Sequence, residues 1–288
     1  MNATTPFNVA AGAMTYWSLG QQTDPQILQN GLSQFGLPDY SPKPRTWLMS
    51  LKAALAEMFA KPEELVRPLK NRKKDGYTVV VEKKGKYENT YTREVNAGVD
   101  PDSGHVQITA GYANISELQR LANHFHRVLP SSSVSDMLTK IIHEQLGGVS
   151  LKTNGGLYFI PEDSIRSWQD IIMVVEAAAV EPTTNDLSVV PLEMNDMTLR
   201  DIKRSITREI EAAAECLRKD IVENKLGDDA LLNRAVRASQ LRDRIRRYET
   251  ILGHTLEVCH QNLDIAVQAF SVASAVQDDA EVYDGVFA

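Results

Sequence analysis

Residues 198–227 read TLRDIKRSITREIEAAAECLRKDIVENKLG, and residues 228–276 continue as DDALLNRAVRASQLRDRIRRYETILGHTLEVCHQNLDIAVQAFSVASAV. Apolar residues recur in both segments at steps of three or four, which places them on one face of a helix. These residues are Leu199, Ile202, Ile206, Ile210, Ala213, Leu217 and Ile221, followed by Leu231, Ala235, Ala238, Leu241, Ile245, Tyr248, Leu252, Leu256, Cys259, Leu263, Ala266 and Phe270. With a break at Gly227, the pattern predicts a long antiparallel helical hairpin, with helices of about 45 Å and 65 Å at 1.5 Å per residue.

The apolar stripe of this hairpin needs a surface to cover it. An amphipathic hairpin with a strongly charged outer face is typical of scaffolds, spacers and oligomerisation arms. The sequence therefore predicts an interaction surface on the second helix, used for self-association as a homo-oligomer or for a protein partner. The residues of this surface are Leu241, Ile245, Tyr248, Leu252 and Leu256.

Residues 1–113 are predicted to form a module of helices and antiparallel strands. A first helix runs from Asp24 to Leu37, with Pro25 in its first turn and Gly36 as a stop signal. Its inward face consists of Leu28, Leu32 and Phe35. A second helix covers residues 46–60, and β-branched residues predict strands over residues 77–82, 87–95 and 105–110.

Residues 114–192 are predicted to form a second module, with the element order of a winged helix. Two helices, over residues 115–129 and 134–146, precede a hairpin of residues 149–160 that turns at Asn154-Gly155. A helix from Pro161 to about Val175 and a strand over residues 187–192 complete the module. Residues 193–276 form the helical arm, and residues 277–288 form a short tail with four acids and no base. The predicted fold class is α+β, mainly helical.

Charge is unevenly distributed along the chain. The formal net charge is −7, but residues 61–86 contain nine Lys and Arg against four acids. Such a basic segment attracts polyanions, because phosphate contacts dominate nucleic-acid affinity. The candidates for binding nucleic acid are Arg72, Lys73, Lys74, Lys83, Lys84 and Lys86. A solvated turn whose lysines protect a strand edge is the alternative interpretation.

Two other basic features favour structural interpretations. The exposed positions of the predicted recognition helix, within residues 135–144, provide one firm positive charge against two negative charges, which suits DNA poorly. Six arginines between Arg234 and Arg247 form a basic concentration that Asp243 and Glu249 interrupt. Because i,i+4 pairing would neutralise part of this charge, we predict a salt-bridged helix face there in preference to a phosphate-binding ridge.

The histidines, cysteines and glycines do not form a recognisable catalytic or metal-binding motif. His124 and His126 point apart on a helix, and the two cysteines are not spaced like the paired ligands of a zinc finger. Neither Gly147-Gly148 nor Gly155-Gly156 is followed by the Lys-Ser/Thr of a phosphate loop. We therefore predict no metal, no cofactor and no catalytic residue. An enzyme whose site is assembled from distant residues is a further alternative.

Two motifs resemble uncharacterised proteins of bacteriophages and mobile elements: LGGVSL at residues 146–151 and GGLYFIP at residues 155–161. The long helical C-terminal half that follows is part of the same resemblance, which covers roughly residues 118–263 by order of elements. The resemblance implies a bacterial or phage cytoplasmic setting and no particular activity.

The remaining features concern the compartment. The chain has no stretch of about 18 apolar residues, and its N-terminus lacks the basic start of a secretory signal. Cys216 and Cys259 fall beside and on the helical stripes, where we expect both to be buried as free thiols. We predict a soluble cytoplasmic protein with no membrane partner. The leading hypothesis is a non-enzymatic scaffold or interaction protein, and the second is a nucleic-acid-binding accessory protein that uses the basic hairpin.

Overall fold

The computed structural model describes residues 10–69, 76–85, 89–153, 155–193, 195–223, 228–253 and 255–268. The helices are α1 (Pro25–Gln34), α2 (Trp47–Met58), α3 (Ile115–His126), α4 (Ser131–Glu144), α5 (Ile165–Ala177), α6 (Asp196–Glu223), α7 (Asp228–Leu252) and α8 (257–268). The strands are β1 (Ala10–Ser18), β2 (Glu64–Pro68), β3 (Gly76–Lys84), β4 (Asn89–Val99), β5 (Val106–Gly111), β6 (Val149–Ser150), β7 (Tyr158–Pro161) and β8 (Asp186–Glu193). The predicted fold class, α+β and mainly helical, is confirmed. Within the described ranges, no helix combines the length and the apolar character needed to cross a membrane.

The chain divides into two compact units that are interleaved along the sequence. Unit 1 consists of Met1–Trp17, Lys140–Gln169 and Leu187–Ala288, and unit 2 consists of Ser18–Thr139 and Asp170–Asp186. The predicted module boundaries after residues 113 and 192 do not coincide with these units. The physical reason is that β1, near the N-terminus, pairs with β7, which is distant in sequence.

Unit 2 contains a four-stranded antiparallel sheet in the order β2-β3-β4-β5. Helices α2 and α3 pack together and enclose a core with this sheet. The buried core residues are Leu51, Ala54, Leu55, Val79, Val95, Ala97, Val106, Leu118 and Ala122. The two helices and β3–β5 lie close to their predicted positions. The edge strand β2 was not predicted, because its sequence ELVRP has no alternating pattern and ends in proline.

Helix α1 begins where the sequence predicts. The Asp24 carboxylate accepts the backbone N–H groups of Gln26 at 2.8 Å and Ile27 at 3.0 Å, which caps the helix. Leu28 and Leu32 are buried as predicted, but Phe35 is 44% exposed. The prediction for Phe35 is wrong because α1 ends at Gln34, so the next side chain leaves the helical periodicity.

Unit 1 contains the second sheet, in the order β6-β7-β1-β8. The predicted β6–β7 hairpin is present, with Val149 opposite Phe159. Strand β1 was not predicted, and it pairs antiparallel with β7, so that Met14 also lies opposite Phe159. The predicted order of helix, helix and hairpin is therefore present, but the hairpin belongs to a larger sheet than the two-stranded wing of a winged helix.

The two predicted long helices are present as α6, with 28 residues, and α7, with 25 residues. The prediction that the second helix continues to Val276 is wrong. Helix α7 ends at Leu252, and Gly253 has a φ of +63°, a left-handed conformation that ends the helix. The Glu249 side chain accepts the N–H of Leu256 at 2.7 Å and caps the start of α8. The predicted acidic tail, residues 277–288, lies outside the described residues.

Helices α6, α7 and α8 form a helical bundle within one chain. Asn262 donates to Glu211 at 3.3 Å, which joins α8 to α6, and Arg242 pairs with Asp264 at 3.3 Å, which joins α7 to α8. Cys259 is buried in the bundle as expected. Cys216 is exposed, contrary to expectation, because it lies beside the buried stripe of α6.

Candidate functional site

The residues predicted to form the interaction surface lie inside the helical bundle. Ile245, Tyr248, Leu252 and Leu256 are at most 5% exposed, and Leu241 is half-buried. The side chains that cover them are those of Ile202, Ile206 and Ile210 of α6, Cys259 and Leu263 of α8, and Val149 and Phe159 of the hairpin. Because the chain itself covers the stripe, a partner protein has to contact another surface of the bundle.

A cluster of ionisable side chains lies at the edge of this stripe, entirely within unit 1. Arg244 Nη2 lies 2.7 Å from Glu209 Oε2 and 3.3 Å from His143 Nδ1. The same Nη2 donates to the carbonyl oxygen of Gly148 at 2.7 Å. Glu209 also accepts the backbone N–H of Ser150 at 2.5 Å. These contacts join α4, α6, α7 and β6.

The chain just after α4 is held by side chains from other elements. Three consecutive carbonyl groups accept a side-chain hydrogen bond there. The pairs are Ser164 Oγ with the carbonyl of Leu146 at 3.1 Å, the Tyr248 hydroxyl with that of Gly147, and Arg244 Nη2 with that of Gly148 at 2.7 Å. Since the last carbonyls of a helix and of the turn after it lack helical partners, these bonds fix the end of α4 against α7 and against the residue that precedes α5.

Burial and neighbouring charges shift the pKa values of Glu209 and Tyr248. Burial by itself raises the pKa of Glu209, but the hydrogen bond to His143 and the positive charge of Arg244 outweigh it and hold the pKa below its ordinary value of 4.5. Burial raises the pKa of the Tyr248 hydroxyl, which therefore remains a protonated donor. The oxygens of Glu209 are occupied by Arg244, His143 and Ser150. The arrangement is suited to holding elements together and poorly suited to abstracting a proton from a substrate.

An aromatic group positions His143 beside this cluster. The Tyr158 ring meets the His143 ring edge to face, with 5.9 Å between the ring centroids. Trp17 stacks on the same Tyr158 ring, with 4.9 Å between the centroids. Trp168 is buried and donates from Nε1 to Thr15 Oγ1 at 2.9 Å. The sheet of unit 1 and the start of α5 thus support the cluster from one side.

Four arginines of α7, namely Arg242, Arg244, Arg246 and Arg247, form ion pairs, in agreement with the predicted salt-bridged face. Arg247 Nη2 lies 2.7 Å from Asp163 Oδ1, and Arg246 pairs with Asp243 along the helix. Sequence reasoning missed Glu209 and His143 as cluster members, because no local spacing connects either residue to Arg244. The surplus of arginine on α7 was the available signal that buried acids lie elsewhere. Among the described residues, no group of three or more His, Cys, Asp or Glu side chains is placed to hold a metal ion.

The basic residues predicted to bind nucleic acid are described only in part. Lys83 is exposed near the end of β3. Lys84 is the last residue of that strand, and its side chain is not among those that the structure describes. Arg72, Lys73, Lys74 and Lys86 lie outside the described residues. Across from Lys83, residues 89–94 of β4 are all exposed. The described structure therefore places one of the six side chains on an open surface.

A protein-family model described as a family of unknown function, DUF6744, matches residues 11–279. The match covers most of the sequence, so the chain belongs to this family. Comparisons with curated proteins and with solved structures give no match.

Proposed function

We propose that this DUF6744 protein is a non-enzymatic scaffold or interaction protein that acts by self-association of its helical bundle. The observation that carries the proposal is the outer face of α8, where Val258 is 53% exposed and Ile265 is 57% exposed. The two residues are seven positions apart and lie on the same side of the helix. Exposed apolar side chains aligned in this way favour a contact that removes them from water.

The surroundings of Ile265 are suited to a second copy of the chain. Ile265 lines a shallow cavity of about 320 Å³ between α6 and α8. The cavity carries both signs of charge, because Glu215 and Arg218 pair at its edge at 2.8 Å. In a two-fold symmetric contact the same patch meets itself, and an apolar centre beside charges that already neutralise each other can face its own copy without like-charge repulsion. The buried stripe contributes indirectly by keeping α6 and α8 in place.

The oligomeric state in solution tests this proposal. Size-exclusion chromatography with light scattering, over a range of protein concentrations, is expected to show a dimer or a larger assembly. Ile265→Asp should shift the protein to the monomer, because a carboxylate buried at the contact would lack a partner. Tyr112→Ser, at an exposed aromatic residue of unit 2, should leave the assembly unchanged. A wild-type monomer at every concentration, or an Ile265→Asp variant that still assembles, would contradict the proposal.

The proposal includes a cytoplasmic setting. Cys216 and Cys259 are both free, and Cys216 is exposed. An exposed free thiol is suited to a reducing compartment.

A second candidate function is nucleic-acid binding by the β3–β4 hairpin. The exposed strand segment 89–94 beside Lys83 favours it, because Tyr91 and Arg93 in this segment offer stacking and charge to a polyanion. Fluorescence anisotropy with a labelled duplex and a labelled single strand at low salt should detect binding. Reversing the charge of Arg72, Lys73, Lys74, Lys83, Lys84 and Lys86 should abolish it. Arg246→Glu, on the bundle, is the control that should bind as the wild type does.

A further inference from the structure

Helices α1 and α5 of unit 2 approach closely and leave an open groove beside their contact. A Cβ atom added to Gly31 would lie 2.4 Å from Val174 Cγ1, so the glycine permits this approach. The groove has a volume of about 420 Å³. We call it the α1–α5 groove, and its apolar lining residues are Ile27, Phe35, Met173, Val174 and Ala177.

The apolar lining of the groove is exposed to a degree that is unusual for such large side chains. Ile27 is 47% exposed and Met173 is 58% exposed, and Phe35 at the end of α1 joins them. These residues do not contribute to the core, since α1 turns Leu28 and Leu32 inward. Methionine is flexible and polarisable, and it is common on surfaces that adapt to a bound peptide. The groove therefore has the composition of a docking surface for an apolar segment.

The charge around the groove indicates which kind of partner segment can bind there. The two segments that line it, residues 27–35 and 170–177, contain Asp170 and Glu176 and no Lys, Arg or His. Asp170 itself lines the groove. A one-sided negative field attracts cationic partners and disfavours acidic ones. It also disfavours the same groove of a second copy, because like charges would face each other.

We propose that the α1–α5 groove binds a basic amphipathic helix of a partner protein. Its apolar residues, at spacings of three and four, would contact Ile27 and Met173, while lysines or arginines on the flanks would face Asp170. The amide side chains of Asn30 and Gln34, which also line the groove, can bond to the polar edge of such a helix. This binding function is separate from self-association through α8.

Binding of model peptides to the full chain tests the proposal. The probe is a fluorescently labelled helical peptide with leucine at positions i, i+3, i+4 and i+7 and lysine elsewhere. The comparison peptides are a scrambled sequence of the same composition and a version with glutamate in place of lysine. Anisotropy should show binding of the first peptide, weaker binding of the scrambled peptide and no binding of the glutamate peptide. The affinity for the first peptide should fall as salt is raised.

Substitutions then locate the binding to the groove. The double variant Ile27→Ser and Met173→Ser should weaken binding of the lysine peptide by at least about tenfold, because it removes two apolar contacts without changing charge. Asp170→Lys should also weaken binding. Ile265→Asp should not affect it, so a failure here is distinguishable from a failure of the self-association proposal. Unchanged thermal melting would establish that each surface variant is folded.

Three outcomes would overturn the proposal. The first is equal binding of the lysine peptide by the wild type and the double variant. The second is binding of the glutamate peptide with similar affinity, which would remove the argument from charge. The third is loss of self-association in the double variant, which would identify a second copy of this chain as the occupant of the groove.

Discussion

The Arg244 guanidinium lies 2.7 Å from the Glu209 carboxylate, with both side chains about four-fifths buried. This pair links the middle of α7 to the middle of α6 and, through the carbonyl of Gly148, to the turn after α4. Replacing Arg244 by methionine keeps much of the volume but leaves Glu209 without its cation. We expect a loss of roughly 3 kcal/mol in the free energy of unfolding, the low end of the range for breaking a buried pair. Urea denaturation would measure this loss.

The matched control for this variant is Arg246→Met on the same helix. Arg246 pairs with Asp243 at 3.8 Å, and both side chains are mostly exposed. Surface pairs contribute at most about 1 kcal/mol, so the control should unfold at nearly the same urea concentration as the wild type. Equal losses in the free energy of unfolding in the two variants would show that the Glu209–Arg244 pair stabilises the fold no more than an exposed pair does.

Acid should weaken the fold in part through Glu209. Because its pKa in the folded state is held below the ordinary value of 4.5, the carboxylate contributes stability above that value and loses it as the pH falls through the folded pKa. Urea denaturation from pH 7 to pH 3 should therefore show a steeper loss of stability in the wild type than in Glu209→Gln, starting near pH 4.5. Other carboxylates titrate in both proteins, so the difference between the two curves isolates Glu209. Parallel curves would contradict this role.

The two cysteines should differ in reactivity. Cys216 is exposed on α6, whereas Cys259 is buried and burial raises the pKa of its thiol. Since the thiolate is the reactive form, we expect one thiol per chain to react rapidly with an aromatic disulfide reagent in the folded protein and both to react in urea. Cys216→Ser should remove the rapid phase. Rapid reaction of both thiols in the folded protein would place Cys259 at the surface.

Two glycines with the same backbone conformation should respond differently to alanine. Gly104 has a φ of +72° and Gly36 a φ of +74°. A Cβ atom on Gly104 would lie 2.4 Å from Trp47 Cε2, whereas one on Gly36 would meet nothing within 4 Å. Gly36→Ala should cost about 1 kcal/mol of backbone strain. Gly104→Ala should cost about 1–3 kcal/mol more because Trp47 has to move. Thermal denaturation of both variants would measure the difference.

Local sequence signals located most of the helices. The Asp24-Pro25 pair starts α1, and the stripe of α6 and α7 is buried as its spacing predicts, because helix periodicity and capping depend on neighbours within a few residues. The end of α7 was missed at Gly253. An isolated glycine costs a helix only about 1 kcal/mol, so the sequence alone does not distinguish a tolerated glycine from one in the left-handed conformation. The contact of Glu249 with Leu256 decides between the two.

Long-range contacts account for what the sequence did not reveal. Strand β1 pairs with β7, and Gly12 faces Ile160 so closely that a Cβ atom would lie 2.1 Å from its carbonyl oxygen. No short window of sequence contains both strands. The Glu209–Arg244 pair joins two helices, and the α1–α5 groove depends on the approach of Gly31 to Val174. Each feature needs the tertiary arrangement, which propensity and spacing do not determine.

The pairing of Met14 with Phe159 has a consequence for how the protein is made. A chain leaves the ribosome at roughly 5–20 residues per second, so β1 is synthesised about seven to thirty seconds before β7. During this interval the backbone groups of β1 have no strand to bond with, and an unpaired strand can join a neighbouring nascent chain. Slow translation or crowded polysomes should therefore reduce the yield of native protein, and a chaperone that shields the first emerging residues should restore it.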